Sequence, residues 1–349
     1  MSKRTIRPLA APAWALALLA MSGCVGSSSG TSGAEAPAEV ADERLFSSAS
    51  PWNTPATGSP DPTSALRISS DSVGSLKHAF KVAGKGFDIA GTTAYPDYGV
   101  PLYTADASTR RVRVGDTYGW WGGFSSVPLP EQATPAVGSD HHLAVWDVPQ
   151  HTLYEFWELR KNEAGEWMAG AGARFDTHGM GYQTEAGALS ARAYGGSLIA
   201  GSILHKEMKA GVIPHALAMA YPWTGGHHYA RGLGTDGVTV NIASHSDNVD
   251  DPERNGPACI PEGARLRLKS SVDVNRACGA NTACRIIGTA LKTYGAYVVD
   301  RAGVATFYAE VLTGKDESWT GLLTATDARA FTADDFELLS LPATLTPSR

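Results

Sequence analysis

Residues 201–237 read GSILHKEMKAGVIPHALAMAYPWTGGHHYARGLGTDG, and we expect the rest of the chain to be organised around them. This stretch is predicted to begin as a short helix that turns at Gly211. The segment HALAMAY, residues 215–221, then alternates as a strand does. One face carries the larger side chains, His215, Leu217, Met219 and Tyr221. The other face carries only alanine, so we expect a facing sheet or a ligand to approach it closely.

Polar and aromatic residues follow this strand directly. They include Trp223, His227, His228, Tyr229, Arg231 and Asp236, around a Gly225-Gly226 turn. Functional side chains are often carried by loops on a rigid scaffold. This composition therefore predicts a binding or catalytic site close to the strand.

The N-terminus has the composition of an export signal. Lys3, Arg4 and Arg7 precede an apolar run at residues 9–21, and Cys24 follows Met-Ser-Gly. This order is typical of a bacterial lipoprotein signal with Cys24 as the lipidated residue, and an ordinary secretory signal cleaved nearby is the alternative. The apolar run is too short to span a membrane permanently. We expect a protein of the bacterial cell envelope, lipid-anchored, and periplasmic or surface-exposed.

Three segments follow from composition. Residues 1–23 are the predicted signal peptide, and residues 24–43 are rich in Ser, Gly, Ala, Pro and acidic residues, which predicts a disordered tether. Residues 44–349 are expected to form a single catalytic or binding domain. The net charge of −6 and the absence of a basic cluster argue against nucleic acid as a partner. Membrane contact is expected through the lipid anchor only, and the oligomeric state is left open.

Three cysteines remain if Cys24 carries lipid. An exported protein can oxidise two of them, which leaves one thiol. Cys278 and Cys284 enclose a short loop that a disulfide could close, and pairing of Cys259 with either one is the alternative.

The class predicted from the strand pattern is mainly β. The clearest hairpin joins residues 141–147 to residues 153–159, and short helices are predicted within residues 71–82 and 282–295. About a dozen strands and about three short helices, without strand–helix alternation, favour an antiparallel β-sandwich of the jelly-roll kind. Residues 169–200, rich in Gly, Ala and Ser, are expected to form a long ordered loop.

Glu155 stands out in this hairpin. Alternation places it on one strand face with Leu153 and Trp157, whereas Tyr154 and Phe156 lie on the other. A carboxylate on a half-buried apolar face needs a partner or a raised pKa.

Four segments resemble an uncharacterised family of secreted actinobacterial and proteobacterial proteins. These are SPWN at residues 50–53, YEFWE at residues 154–158, GVIPHAL at residues 211–217 and the late Asp-Gly at residues 236–237. The resemblance covers most of residues 48–305 and implies one continuous exported domain, without naming an activity. Its motifs match this sequence at Glu155, His215, Asp140 and Asp236.

These four residues are the predicted catalytic set. Glu155 paired with Asp236 or Asp140 could serve a glycoside hydrolase, which needs two carboxyl groups with different pKa values, assisted by His215. A polysaccharide lyase with His215 or Tyr182 as base and Arg231 or Arg174 as cation is one alternative. A non-catalytic carbohydrate-binding or adhesive lipoprotein is the other. For His215 itself, a core histidine bonded to backbone is the competing interpretation.

A polysaccharide groove is predicted because nine Trp and twelve Tyr occur in an acidic, mainly β chain. The predicted substrate-binding residues are Trp121, Trp157, Trp223, Tyr229, Arg231 and Tyr182. We expect Glu155 and His215 to open into this groove together.

No cofactor is predicted. His141-His142 and His227-His228 invite a metal hypothesis with Asp140, but neighbouring residues of a strand point to opposite faces, so each pair can offer one ligand to a given ion. A phosphate-loop motif is absent from the sequence, and neither a serine hydrolase nor a dinucleotide enzyme is predicted.

Overall fold

The computed structural model describes residues 44–185, 190–247 and 255–347. Arg44–Arg349 forms one compact unit of mainly β structure. Within the described residues, none of the helices has the length and apolar character needed to cross a membrane. The predicted signal peptide, tether and lipidated Cys24 lie outside the described residues.

The strands are numbered in chain order. They are β1 (Asp88–Ala90), β2 (Leu102–Ala105), β3 (Arg111–Asp116), β4 (Phe124–Pro128), β5 (Leu143–Asp147), β6 (Thr152–Trp157), β7 (Arg160–Lys161), β8 (Trp167–Ala169), β9 (Ala171–Asp176), β10 (Leu217–Tyr221), β11 (Thr224–Tyr229), β12 (Arg231–Leu233), β13 (Val240–Ile242), β14 (Ile260–Glu262), β15 (Arg265–Leu268), β16 (Ala296–Arg301), β17 (Thr306–Tyr308), β18 (Phe336–Leu338) and β19 (Thr346–Pro347). The α-helices are α1 (Leu76–Ala83), α2 (His205–Ala210), α3 (Val274–Cys278) and α4 (Thr282–Thr293). Shorter helical turns lie at Ala65–Ser69, Val148–Gln150 and Ala333–Asp335.

A six-stranded sheet of order β1-β17-β10-β16-β15-β18 forms the centre of the fold. Its pairs are mixed, since β1 pairs parallel with β17 and β10 parallel with β16, whereas β10–β17, β16–β15 and β15–β18 are antiparallel. The observed sheet therefore differs from the antiparallel sandwich predicted above. Parallel strands are joined by long crossover connections and not by tight turns. Turn signals in the sequence therefore do not predict parallel pairing.

The two faces of β10 divide the core as the alternation predicts. Leu217, Met219 and Tyr221 join a cluster with α1 and α4, including Leu76 and Ile287. The alanine face joins a second cluster that contains Trp52 and strands of another sheet. Trp52 is 1% exposed, and its backbone carbonyl accepts from the Ala216 amide at 2.7 Å. The bulky neighbour expected beside the alanines is thus a facing sheet together with Trp52.

A four-stranded sheet of order β2-β5-β6-β9 covers this alanine face. The predicted hairpin is confirmed as β5 and β6, with Val145 opposite Tyr154. Leu153 packs towards the six-stranded sheet, whereas Phe156 packs in a third cluster against the sheet of order β4-β3-β8-β7. The molecule is layered as helices, six-stranded sheet, four-stranded sheet and outer four-stranded sheet.

Helix ends follow their caps. The Ser75 side chain accepts from the His78 amide at 3.0 Å at the start of α1, and Asn281 caps α4 in place of the predicted Thr282. Gly211 ends α2 at φ +77, as the turn signal indicates. The expectation of an unbroken loop over residues 169–200 is wrong in its first part, because β9 pairs along the whole of β6 there.

Candidate active site

Two neighbouring cavities, of about 530 Å³ and about 610 Å³, flank the same four residues. These residues are Asp140, His142, Asp300 and Arg301. We call the combined space the carboxylate cleft. Clefts of this size with convergent polar groups are the usual place for a binding or catalytic site.

The two stacked sheets bring the four residues together. Asp140 and His142 directly precede β5 in the four-stranded sheet, and Asp300 and Arg301 end β16 in the six-stranded sheet. His141, between the first two, has φ +41. Positive φ is uncommon outside glycine and is often found at functional sites. The backbone here is held by the Glu158 amide, which donates to the Asp140 carbonyl at 2.6 Å.

A register shift in β16 determines where Asp300 points. Met219 pairs with Val298, but Ala220 pairs with Asp300, so one residue of β16 is skipped. Directly opposed residues share a sheet face, and a bulge of this kind re-aims the side chains beyond it. Asp300 thus lies on the alanine face of β10, towards the second sheet. Without the shift, its parity would be that of Val298, which packs towards the helices.

Asp300 is held by three groups. Its carboxylate pairs with Arg192 Nη1 at 3.1 Å, accepts from the Arg301 amide at 2.8 Å and lies 3.5 Å from the Tyr308 hydroxyl. About 24% of the side chain is exposed. Burial raises the pKa of Asp300 to about 7, with Arg192 opposing the rise and the like charges of Asp247 and Asp140 adding to it. A carboxyl group that titrates near neutrality in a cleft is typical of an acid–base catalyst.

Two more carboxyl groups, those of Asp247 and Glu262, lie close to Asp300. Asp247 lines the cleft and accepts from the Arg301 amide at 3.1 Å. Glu262 is fully buried. Within the described residues, neither of its carboxyl oxygens lies at hydrogen-bond distance and angle from a partner. Burial, followed by Asp247 and Asp300, raises the pKa of Glu262 well above its ordinary value. This shift favours the neutral carboxyl form of Glu262.

Arg192 and His142 carry polar atoms without partners in the described part of the chain. Arg192 is 5% exposed and stacks 4.1 Å over the Tyr308 ring, yet its Nε and Nη2 have no acceptor there. His142 is 4% exposed with an unbonded Nδ1. Burial, Arg192 and His141 hold the pKa of His142 well below its usual range, so the imidazole is neutral. Unsatisfied buried polar groups beside a cleft suggest partners supplied by a ligand.

Glu155 lies outside this cleft. It is fully buried and accepts from Ser197 Oγ at 2.7 Å, the Leu198 amide at 2.8 Å and the Ile199 amide at 2.9 Å. Burial raises the pKa of Glu155 to about 7 in spite of these three donors. The carboxylate has the partner that its apolar position requires, and that partner is the chain at residues 197–199.

His215 is bonded to a different glutamate from the expected one. Its Nε2 lies 3.0 Å from Glu207 of α2, and its Nδ1 lies 2.9 Å from the Ala216 carbonyl. Burial lowers the pKa of His215, but Glu207 outweighs this and the net shift is upward. The expected pairing of Glu155 with His215 is not formed, and neither residue lines the carboxylate cleft. This geometry fits the competing interpretation of a core histidine.

Asp236 organises a turn. It accepts from the amides of Ser59, Val238 and Thr239. Partial burial acts against these hydrogen bonds, which nevertheless lower the pKa of Asp236 to about 2. Of the four predicted catalytic residues, the structure places Asp140 alone in the cleft.

The predicted substrate-binding residues are mostly internal. Trp157 lines the cleft, whereas the others have different positions. Trp121 is buried with its Nε1 donating to the Ala169 carbonyl at 3.0 Å. Tyr229 and the half-buried Tyr182 pack in the second cluster, and Trp223 packs against the first. Arg231 lies on β12, away from the cavities described here.

Sequence reasoning missed Asp300, Arg192 and Glu262. The available signal for Asp300 was an aspartate ending the otherwise apolar strand AYVVD, residues 296–300. His142 lines the cleft, whereas His227 and His228 both lie exposed on β11. In the described part of the chain, no group of three or more His, Cys, Asp or Glu residues could hold a metal ion.

The predicted disulfide between Cys278 and Cys284 is present, and Cys259 is buried and takes no part in it. Comparisons of the chain with family models, curated proteins and solved structures find no match.

Proposed function

We propose that this protein is a glycoside hydrolase acting on polysaccharide, with Asp300 as general acid and Asp140 as the second carboxylate. The observation that carries the proposal is the pKa of Asp300, about 7, in the centre of a cleft beside Asp140. Glycoside hydrolysis requires one carboxyl group that is protonated at the working pH and another that is ionised.

The chemistry assigns one role to each group. The leaving oxygen takes the Asp300 proton as the glycosidic bond breaks, and water supplies the oxygen that bonds to the anomeric carbon. Asp140 stabilises the positive charge that develops there and accepts the water proton. Proton exchange with solvent then returns Asp140 to the carboxylate and Asp300 to the protonated acid. Arg192 holds Asp300 in place through the 3.1 Å ion pair. Neutral His142 lines the cleft beside these two carboxyl groups.

The lyase alternative is supported less well. Its proposed base His215 is bonded to Glu207, and its proposed cations Arg231 and Arg174 do not line the cleft. Tyr308 would be the nearest alternative base, but burial and Asp300 raise its pKa well above the ordinary value. A lyase also needs a cation for the uronate carboxylate. Arg192 is paired with Asp300, which leaves Arg301 as the lining cation for that role.

A substitution of Asp300 tests the proposal. Asp300→Asn removes the acid proton and keeps the shape, so cleavage should fall by about a hundredfold or more. The exposed, distant Asp71→Asn is the matched control and should retain full activity. Release of reducing ends from cello-, laminari-, xylo- and arabino-hexaose is the measurement. Near-normal turnover by Asp300→Asn with an unchanged melting temperature would exclude the assigned acid.

A non-catalytic carbohydrate-binding protein is the second candidate. It is favoured by Tyr95, Tyr98 and Trp120, whose rings are 46%, 50% and 52% exposed beside the cleft. Tight binding of the same hexasaccharides without cleavage by the wild-type protein would select it.

We further propose that the protein is exported to the cell envelope and anchored through lipid on Cys24. The sequence order of basic residues, apolar run and Cys24 supports this. Cys24→Ala should move the protein from the membrane fraction to the soluble fraction. Unchanged membrane partition of that variant would refute the anchor.

A further inference from the structure

Exposed aromatic rings lie on both sides of the four shared residues. Trp120 and Trp157 line one cavity, whereas Tyr95 and Tyr98 line the other. Aromatic side chains bury large areas when they can, and a sugar ring stacks well on an aromatic face. Rings left open at both ends of one cleft therefore indicate ligand contacts at both ends.

The size of the cleft leads to the same conclusion. Each cavity alone, at about 530 Å³ and about 610 Å³, falls in the range that holds a drug-sized ligand. Asp140 and Asp300 border both cavities. A ligand that fills both therefore lies across the two carboxyl groups.

The charge of the lining restricts the ligand. Five aspartates line the cavities: Asp88, Asp97, Asp140, Asp247 and Asp300. Of the lining cations, Lys85 is paired with Asp88 at 2.5 Å and Arg192 with Asp300 at 3.1 Å, so Arg301 is the remaining lining cation beside the five aspartates. Like charges repel, and the repulsion is stronger near a protein surface than in bulk water because the effective dielectric constant is lower. A chain of uronic acids would meet this repulsion at several sugars.

We infer that the two cavities hold consecutive sugars of one uncharged polysaccharide on either side of Asp300, so that the chain is cut in its interior. The cleavage part of this inference rests on the proposed hydrolase function. The binding part rests on the cavities and the aromatic rings, and it stands without catalysis.

Binding is measured with the Asp300→Asn protein, so that cleavage does not interfere. Calorimetry uses di-, tetra- and hexasaccharides of the cello, laminari, xylo and arabino series. For at least one series, the hexasaccharide should bind about tenfold more tightly than the disaccharide. Trp120→Ala and Tyr98→Ala, one from each cavity, should each weaken hexasaccharide binding roughly tenfold, equivalent to about 1.4 kcal/mol. Leu233→Ala, 58% exposed on β12, is the apolar control and should bind normally.

Cleavage mode is measured with the active protein on the polymer of the series that binds. Interior cutting lowers viscosity much faster than it releases reducing ends. Release of only mono- or disaccharides would overturn the inference of interior cutting. Hexasaccharide binding that depends on one cavity alone would overturn the inference that one chain spans both cavities. Tighter binding of oligouronates than of neutral hexasaccharides would overturn the assigned substrate class.

The two proposals fail separately. Hexasaccharide binding that depends on both Trp120 and Tyr98, without cleavage by the wild-type protein, would disprove the hydrolase and leave the two-sided binding cleft intact. Cleavage that is confined to chain ends would support the hydrolase and disprove cutting in the interior of the chain.

Discussion

At the scale of single residues, Asp300 receives opposing influences. Burial and the neighbouring Asp247 favour its protonated form, whereas Arg192 favours the carboxylate. Because the assigned acid must be protonated, we expect kcat/KM to fall as pH rises above about 7. A pH–rate profile of the wild-type protein on the best hexasaccharide checks this.

The substitution Asp247→Asn tests whether the alkaline limb reports the pKa of Asp300. Removal of the like charge lowers the pKa of Asp300, so the alkaline limb should move to lower pH. If the alkaline limb of the pH–rate profile does not move in Asp247→Asn, the limb does not report the titration of Asp300.

Glu155 makes a contrasting prediction, since its three donors give it a structural task. In Glu155→Gln, the new amide group must face a backbone N–H that the carboxylate now accepts, so one buried donor loses its partner. An unsatisfied buried donor costs about 1–3 kcal/mol, and the free energy of unfolding should fall by that amount. Denaturant unfolding measures the loss. Turnover per folded molecule should stay near normal, and a hundredfold loss of turnover without loss of stability would return Glu155 to the active site.

At the scale of elements, the disulfide joins α3 to the first turn of α4. Cys278 and Cys284 are six residues apart, and a loop of this length is expected to contribute roughly 2 kcal/mol through the entropy of the unfolded chain. The Cys278→Ser/Cys284→Ser protein should lose about this much stability and keep its activity, because neither cysteine lines the carboxylate cleft. Thermal unfolding with and without dithiothreitol tests it. A reductant that destabilises the double variant as much as the wild type would assign the effect to another group.

Alternation along the sequence predicted correctly which residues of one strand share a face. Alternation placed Leu153 and Phe156 on opposite faces, and the alanines of β10 foretold the close approach of Trp52. Pairings between distant segments were not predictable in this way. β1 lies parallel to β17 with Asp88 opposite Thr306, across more than half of the domain.

The candidate site shows the same limit. Asp140 was predicted because it matches the motifs of the family that the chain resembles. Asp300 was missed because its orientation depends on the register shift between β10 and β16, which strict alternation cannot reveal. Arg192 lies in a segment with no periodic pattern, and its function is visible only through its contacts with Asp300 and Tyr308.

At the scale of the whole molecule, three buried carboxyl groups with raised pKa values make folding depend on pH. These are Glu155, Glu262 and Asp300. For each, the folded-state pKa lies above the unfolded value of about 4, so its favourable contribution is complete below about pH 4. That contribution is lost as pH rises through the folded-state pKa. The free energy of unfolding should therefore decrease between about pH 4 and about pH 7, as far as these groups govern it.

A substitution of Glu262 tests this pH dependence most directly, because neither of its carboxyl oxygens forms a hydrogen bond within the described residues. Glu262→Gln keeps the shape, removes the titrating proton and supplies an amide that can donate to Asp247. We expect the variant to gain stability over the wild type as pH rises, with little difference near pH 4, where the wild-type carboxyl is protonated in both states. Urea unfolding at a series of pH values from 4 to 8 measures this. A difference between variant and wild type that stays the same at every pH would show that Glu262 is ionised when buried, or that its neighbours neutralise it.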